Sequence, residues 1–332
     1  MAGSRRSVGI VGVGSALPEK VITNGDLEKM VDTSNQWITT RTGIKERRIA
    51  SPETATSDLA LTAGRRAMER AGIEPEELDL ILVATTTPDM AFPSTACIVQ
   101  AGLGAYNAAA FDLEAACSGF LYGLAIGEQF ISSGVYETVL IIGAEVLSKI
   151  VNWSDRNTCV LFGDGAGACV LRPVTAGKGI LSHYLGADGR GVKLLQLPAG
   201  GSRLPASAAT VEQGLHYIEM QGAEVFKFAV RIMGEASLEA LRRAGLAREE
   251  VDLLVPHQAN HRIIMAAAKR LGLTPEQVIV NLDRYGNMSA ASIPVALEEA
   301  VSEGRIRDGD NVLLVGFGAG LTWGAAVLKW GL

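Results

Sequence analysis

The sequence lacks most of the features that mark membrane, metal-binding or nucleic-acid-binding proteins. Over 332 residues, no uncharged apolar stretch reaches the roughly 18 residues that a membrane-spanning helix needs. The formal net charge is −6, which argues against bulk binding of nucleic acid. The four cysteines form neither a Cys-x-x-Cys pair nor a zinc-ligand spacing. We therefore expect a cytoplasmic protein with reduced thiols and with no metal, membrane or nucleic-acid partner.

Proline is also sparse, at 11 residues, whereas glycine is abundant, at 38. Glycines in such number are typical of the many tight strand–loop–helix junctions of a layered α/β protein. Hydrophobic residues make up 48% of the chain, which is ample for one large core or for two domains of ordinary size.

The most informative positive feature is an internal repeat at a constant offset. Residues 71–80 (AGIEPEELDL) match residues 244–253 (AGLAREEVDL), and residues 139–143 (VLIIG) match residues 312–316 (VLLVG). Both matches have the same offset of 173 residues. Chance matches rarely share one register, so we predict two structurally similar halves.

The predicted halves are residues 1–172 and 173–332, each with the pattern helix, strand, strand, helix, strand. In the first half we predict helices at 57–71 and 120–130 and strands at 80–84, 109–113 and 139–142. In the second half we predict helices at 225–243 and 293–303 and strands at 251–255, 278–281 and 312–315. Wholly apolar strands are buried on both faces, which implies sheets covered by helices on each side.

A candidate nucleophile is Cys117, in the segment Glu114-Ala-Ala-Cys-Ser-Gly119. The segment lies between an apolar strand and a helix of small residues, which predicts that Cys117 is at a helix N-terminus. The helix dipole and the free N–H groups there favour a thiolate and lower the pKa of the thiol. The small neighbours leave room for a substrate. Taken alone, the segment is equally consistent with a buried structural cysteine.

Two further candidates are His257 and Asn287. His257 follows a predicted strand, at the carboxyl end where α/β sheets bind ligands. Asn287 lies in a turn which, at the offset of 173, is the counterpart of the Cys117 turn, so the two turns are expected to face each other. An asparagine in a turn more often bonds to the backbone than takes part in catalysis. Its position opposite Cys117 favours a catalytic role.

Together these residues resemble the Cys-His-Asn site of the thiolase superfamily. The segments Ala116-Cys117-Ser-Gly, His257-Gln-Ala-Asn260 and Gly286-Asn287 carry that resemblance. The closer match is the β-ketoacyl-acyl-carrier-protein synthase III family, which residues 37–44, 162–167 and 316–323 also resemble. The resemblance spans nearly the whole chain in the right order. It implies a thiolase-like duplicated α/β fold, layered α/β/α/β/α, with halves related by a pseudo-twofold axis.

The resemblance implies a decarboxylative Claisen condensation of an acyl-CoA primer with malonyl-acyl-carrier protein, which initiates fatty-acid synthesis. Cys117 would carry the acyl group, and the backbone N–H groups of Cys117 and Ala319 would form the oxyanion hole. His257 and Asn287 would donate hydrogen bonds to the enolate oxygen. The resemblance implies no metal and no cofactor, because acyl-CoA is a substrate and the leaving carboxylate supplies the driving force.

Four residues match CoA-binding positions of the family. Trp37 and Arg156 would sandwich the adenine, Arg41 would meet the phosphates, and Asn260 would meet the pantetheine arm. Without the family, a core tryptophan and surface arginines would be the simpler interpretation.

A basic face is expected to bind the acidic carrier protein. Arg262, Lys269 and Arg270 follow His257 on a predicted helix, where spacings of seven and eight place them on one side, and Lys227 is assigned to the same patch. Solvated surface charge is the usual explanation of such spacing.

The family also implies a homodimer. The loop that carries Phe92 would cross to the acyl pocket of the partner, and Phe317 would line that pocket from its own subunit. A bulky phenylalanine at the end of the acyl channel would favour short primers. A simple loop anchor is the alternative role of Phe92.

Other proteins that share part of this site differ from the chain in specific residues. Elongating synthases use two histidines where this chain has Asn287, and thiolases carry a second cysteine where this chain has Gly318-Ala-Gly320. The Cys-Gly-Ser-Cys-Trp signature of papain-like hydrolases is absent. A non-catalytic carrier-binding subunit would lose the triad. A related condensing enzyme of secondary metabolism, or one that uses CoA-bound partners, remains the alternative.

Overall fold

The computed structural model describes residues 6–331. Residues 1–5 of the first predicted half and residue 332 of the second lie outside this range. The strands are β1 (Val8–Ala16), β2 (Val21–Thr23), β3 (Glu46–Arg48), β4 (Leu80–Ala84), β5 (Ala109–Leu113), β6 (Val139–Glu145), β7 (Gly165–Pro173), β8 (Gly179–Ala187), β9 (Leu195–Gln196), β10 (Glu219–Met220), β11 (Leu253–Pro256), β12 (Asn311–Gly318) and β13 (Thr322–Lys329). The helices are α1 (Asn24–Leu27), α2 (Asn35–Thr42), α3 (Thr56–Ala71), α4 (Thr95–Leu103), α5 (Gly119–Ser132), α6 (Ala208–Glu212), α7 (Gly222–Ala244), α8 (His261–Leu271), α9 (Leu282–Tyr285) and α10 (Ser292–Ser302).

Two mixed sheets repeat one topology. The first has the strand order β1-β7-β6-β4-β5, and the second has the order β8-β13-β12-β11. In each sheet the first two pairings are antiparallel and the next is parallel. The register is shared as well: Leu80 pairs with Val139, and Leu253 pairs with Val312, each residue 173 positions beyond its counterpart. The predicted duplication is therefore confirmed.

Helices cover both sheets and also separate them. α3 and α4 pack on the first sheet, α7 packs on the second, and α5 and α10 contact strands of both. α5 approaches the first sheet closely because residue 123 is glycine: a Cβ there would lie 2.8 Å from Cγ2 of Ile141. Phe120 and Leu124 of α5 are fully buried, and burial of each such side chain stabilises the fold by about 1.5–3 kcal/mol. The order of layers is α/β/α/β/α, as the resemblance implies.

The strand predicted at 278–281 is wrong. The chain there makes a single parallel bridge to Leu254. Beyond that bridge, the buried amide of Gln258 takes the place of a neighbouring strand. Its Nε2 donates to the carbonyl of Ile279 at 3.1 Å, and its Oε1 accepts from the backbone N–H of Asn281 at 3.0 Å. The other predicted elements are present, with ends displaced by at most three residues.

The expectation that each predicted strand is buried on both faces is wrong for β5. This strand is the edge of its sheet and pairs with β4 on one side. Ala109 and Phe111 are exposed. Unpaired strand edges with apolar side chains are typical of interfaces.

Across residues 6–331, no helix has both the length and the apolar character that spanning a membrane requires. The boundary predicted between residues 172 and 173 stays a prediction. It falls within β7, just before Pro173, the last residue of that strand. The first strand of the second sheet, β8, begins at Gly179.

Candidate active site

The site is built from a turn that occurs once in each half. Cys117 lies in the 3₁₀ turn Ala116–Ser118, directly before α5, and the turn Ser289–Ala291 precedes α10 in the same way. Ala116 and Ser289 are 173 residues apart and share a φ of 46°, a left-handed conformation that few residues other than glycine adopt. Such conformations concentrate at functional sites. The two turns contact each other, as the repeat predicts.

Cys117 is shared by two cavities. The larger, of about 440 Å³, has a mainly apolar wall that includes Leu147, Ile150, Phe162, Leu195 and Ile218. The smaller, of about 90 Å³, is lined by the other two candidate residues, His257 and Asn287, and also by Asn260 and Phe317. The structure therefore brings together the three residues of the predicted triad, with Cys117 where the two cavities meet. The larger cavity is called the apolar chamber below, and the smaller one is called the tunnel.

Asn287 is held so that its amide nitrogen stays available. Its backbone N–H donates to the carbonyl of Leu161 at 2.8 Å, and its carbonyl accepts from the backbone N–H of Gly163 at 3.0 Å. Its side-chain Oδ1 accepts from the backbone N–H of Ser289 at 2.9 Å. This bond fixes the orientation of the amide, and the Nδ2 group is the part of the side chain that can donate to a substrate.

His257 follows β11, and its backbone N–H donates to the carbonyl of Val315 at 2.8 Å. The ring packs edge-on against Phe317, with 5.6 Å between centroids. The side chain is 1% exposed, and this burial lowers the pKa of the imidazole to about 3. Within residues 6–331, Nδ1 has no hydrogen-bond partner. At neutral pH the ring is therefore uncharged and carries a single N–H donor.

The pKa expected for Cys117 from sequence is wrong in direction. α5 does begin beside it, at Gly119, so the free N–H end of the helix is in place. Burial nevertheless raises the pKa of the Cys117 thiol to about 12, and the negative charges of Glu145 and Glu114 act in the same direction. The nearby Ser289 hydroxyl acts in the opposite direction, because a hydroxyl can stabilise a thiolate. The loss of water outweighs the helix end, because ionisation in a poorly solvated site is costly.

The predicted oxyanion hole consists of Cys117 and Ala319, and hydrogen bonds of two hydroxyl groups join the segments that carry them. Ala319 follows β12 and lines the larger cavity with Cys117. The Thr322 Oγ1 atom lies 2.9 Å from the carbonyl oxygen of Ala319 and 2.8 Å from the hydroxyl oxygen of Ser118. It also lies 3.0 Å from the carbonyl oxygen of Ala115. These bonds fix the loop of Ala319 against the turn of Cys117.

The predicted CoA residues also lie together. The guanidinium carbons of Arg41 and Arg156 lie 4.6 and 5.1 Å from the ring centroid of Trp37. Arg156 thus stacks directly on Trp37, and an adenine between them requires that Arg156 move away. Asn260 caps α8, since its Oδ1 accepts from the backbone N–H of Arg262 at 2.9 Å. Its Nδ2 donates to the carbonyl of Arg41 at 2.9 Å, so both ends of the amide are engaged within the protein.

Phe317 lines the smaller cavity and not the larger one, and its assignment to the acyl pocket stays a prediction. Side chains alternate along β12, and that of Phe317 points toward His257 and toward Phe228 of α7, on the tunnel side. Phe92 is 85% exposed and lines neither cavity of its own chain.

Sequence reasoning missed most of the apolar chamber. Leu195 and Ile218 come from the irregular segment between β8 and α7, where no periodic pattern marks them. The available signal is the cluster of apolar residues at 192–218 in a segment that has little regular structure.

The predicted basic residues are exposed on two helices. Arg262, Lys269 and Arg270 lie on α8, and Arg262 stacks at 5.0 Å on the ring of Phe226, which lines the tunnel. Lys227 lies on α7, where Glu224 binds it at 2.7 Å. Among residues 6–331, no group of three or more His, Cys, Asp or Glu residues is placed to hold a metal ion.

Two family models match the chain. The model for 3-oxoacyl-[acyl-carrier-protein] synthase III matches residues 111–189, and the model for the C-terminal part of the same enzymes matches residues 241–330. The β-ketoacyl-[acyl-carrier-protein] synthase III of Caldanaerobacter subterraneus is 65% identical over 98% of this chain and 98% of its own. The enzyme of that name from Symbiobacterium thermophilum is 64% identical over 98% of this chain and 99% of its own.

Solved structures show the same likeness. The synthase III structure from Aquifex aeolicus shares 51% identity, covers 97% of this chain and 100% of its own, and superposes with a TM-score of 0.90. The structure from Thermus thermophilus shares 54% identity, covers 97% and 99%, and superposes with a TM-score of 0.91.

Proposed function

Because the chain belongs to the β-ketoacyl-[acyl-carrier-protein] synthase III family, we propose that Cys117, His257 and Asn287 carry out the condensation that initiates fatty-acid synthesis. The chain is an acyl-transferring condensing enzyme. Its proposed substrates are an acyl-CoA primer and malonyl-acyl-carrier protein, and its proposed location is the cytoplasm. The observation that carries the proposal is the position of Cys117, between an apolar chamber and a tunnel that holds the other two residues.

In the first half-reaction, the sulfur of Cys117 attacks the acyl-CoA carbonyl, and CoA leaves as the thiol. The apolar chamber of about 440 Å³ receives the acyl chain. The developing negative charge on the carbonyl oxygen is stabilised by the backbone N–H groups of Cys117 and Ala319. Each donor of this kind typically contributes about 3 kcal/mol.

In the second half-reaction, malonyl-carrier protein enters from the tunnel side and loses carbon dioxide. Nδ2 of Asn287 and the N–H of the neutral His257 ring donate to the enolate oxygen. The resulting carbanion attacks the acyl carbonyl on Cys117, which releases the β-ketoacyl product and expels Cys117 as a thiolate. The thiolate takes up a proton from water, which restores the thiol. Since loss of the carboxylate supplies the driving force, we propose that no cofactor takes part.

The basic face on α8 is proposed to bind the acidic carrier protein. Arg262 supports this role, because it stacks beside a residue that lines the tunnel through which the malonyl group would pass. Lys269 and Arg270 extend the positive charge along the same helix. Lys227 contributes less, since Glu224 already neutralises it.

Reversal of the charge at Arg262 and Lys269, by substitution of both with Glu, tests the carrier protein as partner and with it the proposed function. We expect condensation with malonyl-carrier protein to fall by about 10-fold or more, because two attractive contacts become repulsive. Acyl transfer from acyl-CoA and condensation with malonyl-CoA should change little. The measurements are initial rates of each reaction, and the parent rate with the carrier should fall as salt is raised.

Arg248→Glu is the matched control, since Arg248 is exposed beyond the far end of α7, roughly 30 Å along that helix from its tunnel residues. An equal loss in all reactions of the double variant would contradict the carrier assignment. A parent enzyme that prefers malonyl-CoA would favour the alternative, a condensing enzyme with CoA-bound partners.

A homodimer is proposed on the basis of the exposed edge of β5. Phe92, Met90, Tyr106 and Phe111 are large apolar residues exposed on β5 or on the segments that flank α4 beside it. Exposed apolar side chains next to an open sheet edge favour an interface between copies of the chain. We propose that Phe92 enters the apolar chamber of the partner and limits the length of the primer.

Phe92→Thr is therefore expected to extend the range of primers. The parent should prefer acetyl-CoA, and the variant should gain roughly 10- to 100-fold in relative kcat/KM for dodecanoyl-CoA, because overpacking of about 1–3 kcal/mol is relieved. Tyr106→Thr removes another exposed aromatic and should not change the preference. A parent that uses dodecanoyl-CoA as well as acetyl-CoA would refute the gate, and a monomer in sedimentation would remove its basis.

A further inference from the structure

A buried arginine lies beside the turn that carries Asn287. Arg47 is the middle residue of β3 and is 0% exposed, and among residues 6–331 no other arginine or lysine is buried. Burial lowers the pKa of its guanidinium to about 10, so the group stays charged at neutral pH. In the same part of the chain, no Asp or Glu forms an ion pair with it. Because a buried charge without a counter-charge is unfavourable, hydrogen bonds must stabilise this one.

The guanidinium of Arg47 bonds to neutral oxygens of three separate segments. Its Nη1 donates to the carbonyl of Ile22 at 3.2 Å and to Oδ1 of Asn24 at 3.0 Å. Its Nη2 donates to the carbonyl of Val160 at 2.8 Å. A guanidinium is planar and presents its donors in fixed directions. These bonds therefore fix how far the segment at Val160 lies from β2 and α1.

The segment that begins at Val160 sets the position of Asn287. The backbone N–H of Asn287 donates to the carbonyl of Leu161 at 2.8 Å, and the backbone N–H of Gly163 donates to the carbonyl of Asn287 at 3.0 Å. Phe162 and Asn287 thus form a parallel bridge. Since the two backbones are bonded to each other, a shift of this segment would move the backbone of Asn287 with it.

The stem of Arg47 also packs against both sides of this bridge. A Cβ added at Gly163 would lie 3.3 Å from Cβ of Arg47, and one added at Gly286 would lie at the same distance. Gly286 has a φ of 67° and a ψ of −159°, a conformation that is essentially restricted to glycine. The backbone on each side of the bridge therefore lies directly against Arg47.

The other end of the guanidinium is anchored through Asn24, which is 1% exposed. Nδ2 of Asn24 donates to the carbonyl of Ile44 at 2.8 Å and to Oδ1 of Asn35 at 3.0 Å. Asn35 is the first residue of α2, the helix of the predicted CoA residues Trp37 and Arg41. The guanidinium is thus held by buried protein on the side away from Val160, and it can keep the bridge in place.

We propose that Arg47 is a positioning residue for Asn287 in the second half-reaction. Its bond to Val160 holds the bridge in register, and the bridge keeps Nδ2 of Asn287 directed at the enolate oxygen. Arg47 lines neither cavity and acts on the substrate only through Asn287. A displacement of a reacting group by about 1 Å can lower a rate by about 100-fold. This role rests on the proposed function, since it takes Asn287 as one of the two donors to the enolate.

The test compares the parent with Arg47→Met, Asn287→Ala and the double variant. Methionine fills much of the same space but donates no hydrogen bond. In Arg47→Met we expect kcat for decarboxylation of malonyl-carrier protein to fall by roughly 10- to 100-fold, with little change in KM. Acylation of Cys117 by acyl-CoA should stay within a few-fold of the parent. The double variant should decarboxylate no more slowly than Asn287→Ala, since one change acts through the other.

His257 and Arg305 supply the comparisons. Arg47→Met combined with His257→Ala should lose more than either change alone, because His257 is held by its own bond to β12. Arg305→Met is the matched control, since Arg305 donates to the backbone carbonyls of Glu276 and Val278, at 2.8 and 3.3 Å, and lines neither cavity. It should keep the parent rates. Near-ultraviolet circular dichroism checks the fold of each variant.

A folded Arg47→Met that decarboxylates at the parent rate overturns this role. So does an equal loss in both half-reactions, or a loss that adds in full to that of Asn287→Ala. If Arg47→Met does not fold, Arg47→Lys replaces it, because a single ammonium cannot bond to Val160 and Asn24 as the guanidinium fork does. It should lose about 10-fold in decarboxylation, and the parent rate would overturn the role equally. Normal decarboxylation in Asn287→Ala would instead contradict the proposed function, whatever the Arg47 variants do.

Discussion

Replacement of Cys117 by alanine is expected to abolish acyl transfer from acyl-CoA, with a loss of about 10⁴-fold or more. Removal of a covalent nucleophile leaves the bound substrate without the group that its carbonyl must react with. Among the described residues, Cys117 is the only cysteine that lines either cavity of the site. The measurement is the mass of the intact protein after incubation with acyl-CoA, followed by location of the label in peptides.

The remaining cysteines provide the controls. Cys97 is exposed on α4, so Cys97→Ala should retain the label and the parent rate. Cys159 and Cys169 are fully buried and line neither cavity, so acyl-CoA is not expected to reach them. An acyl group found mainly on Cys97, Cys159 or Cys169 would disprove the assignment of Cys117.

Replacement of His257 or Asn287 by alanine is expected to separate the two half-reactions. Acylation of Cys117 should stay within a few-fold of the parent, whereas decarboxylation of the malonyl group should fall by about 10²–10³-fold, because each variant removes one donor to the enolate. The measurements are acylation by mass spectrometry and release of carbon dioxide from labelled malonyl-carrier protein. Normal decarboxylation in both variants would refute the paired-donor role.

The pH dependence gives an independent check of His257. Burial lowers the pKa of this ring to about 3, so the neutral form persists as the pH falls through 6.5, the ordinary value for histidine. We therefore expect that protonation of His257 does not lower the rate of decarboxylation around pH 6.5. His183→Phe is the matched control, since His183 is also a buried ring with a lowered pKa, of about 4, but does not line either cavity.

The repeat in the sequence predicts much of what positions the site. One offset of 173 residues relates the pairing of Leu80 with Val139 to that of Leu253 with Val312. Because pairing register is shared, the turns that follow equivalent elements must also be equivalent. The same offset therefore places the turn near Asn287 against the turn of Cys117.

Features that depend on distant parts of the chain could not be predicted in this way. An apolar run at 278–281 is typical of a strand, but the amide of Gln258 takes the place of the missing neighbour. The helix end beside Cys117 is visible locally, whereas the burial that raises the pKa of its thiol depends on residues far away in sequence.

The matching turns at Ala116 and Ser289 also determine how the enzyme is expected to lose activity. One turn supplies the sulfur and the other adjoins Asn287, and each turn packs against the opposite half: the Cys117 turn contacts β12, and the Ser289 turn contacts β6. A slight slip of one half against the other at the contact between the two turns would separate these groups before either sheet comes apart. We therefore expect activity to be lost more easily than the fold. Activity requires that the two halves be docked correctly, whereas each half can stay folded after a small shift.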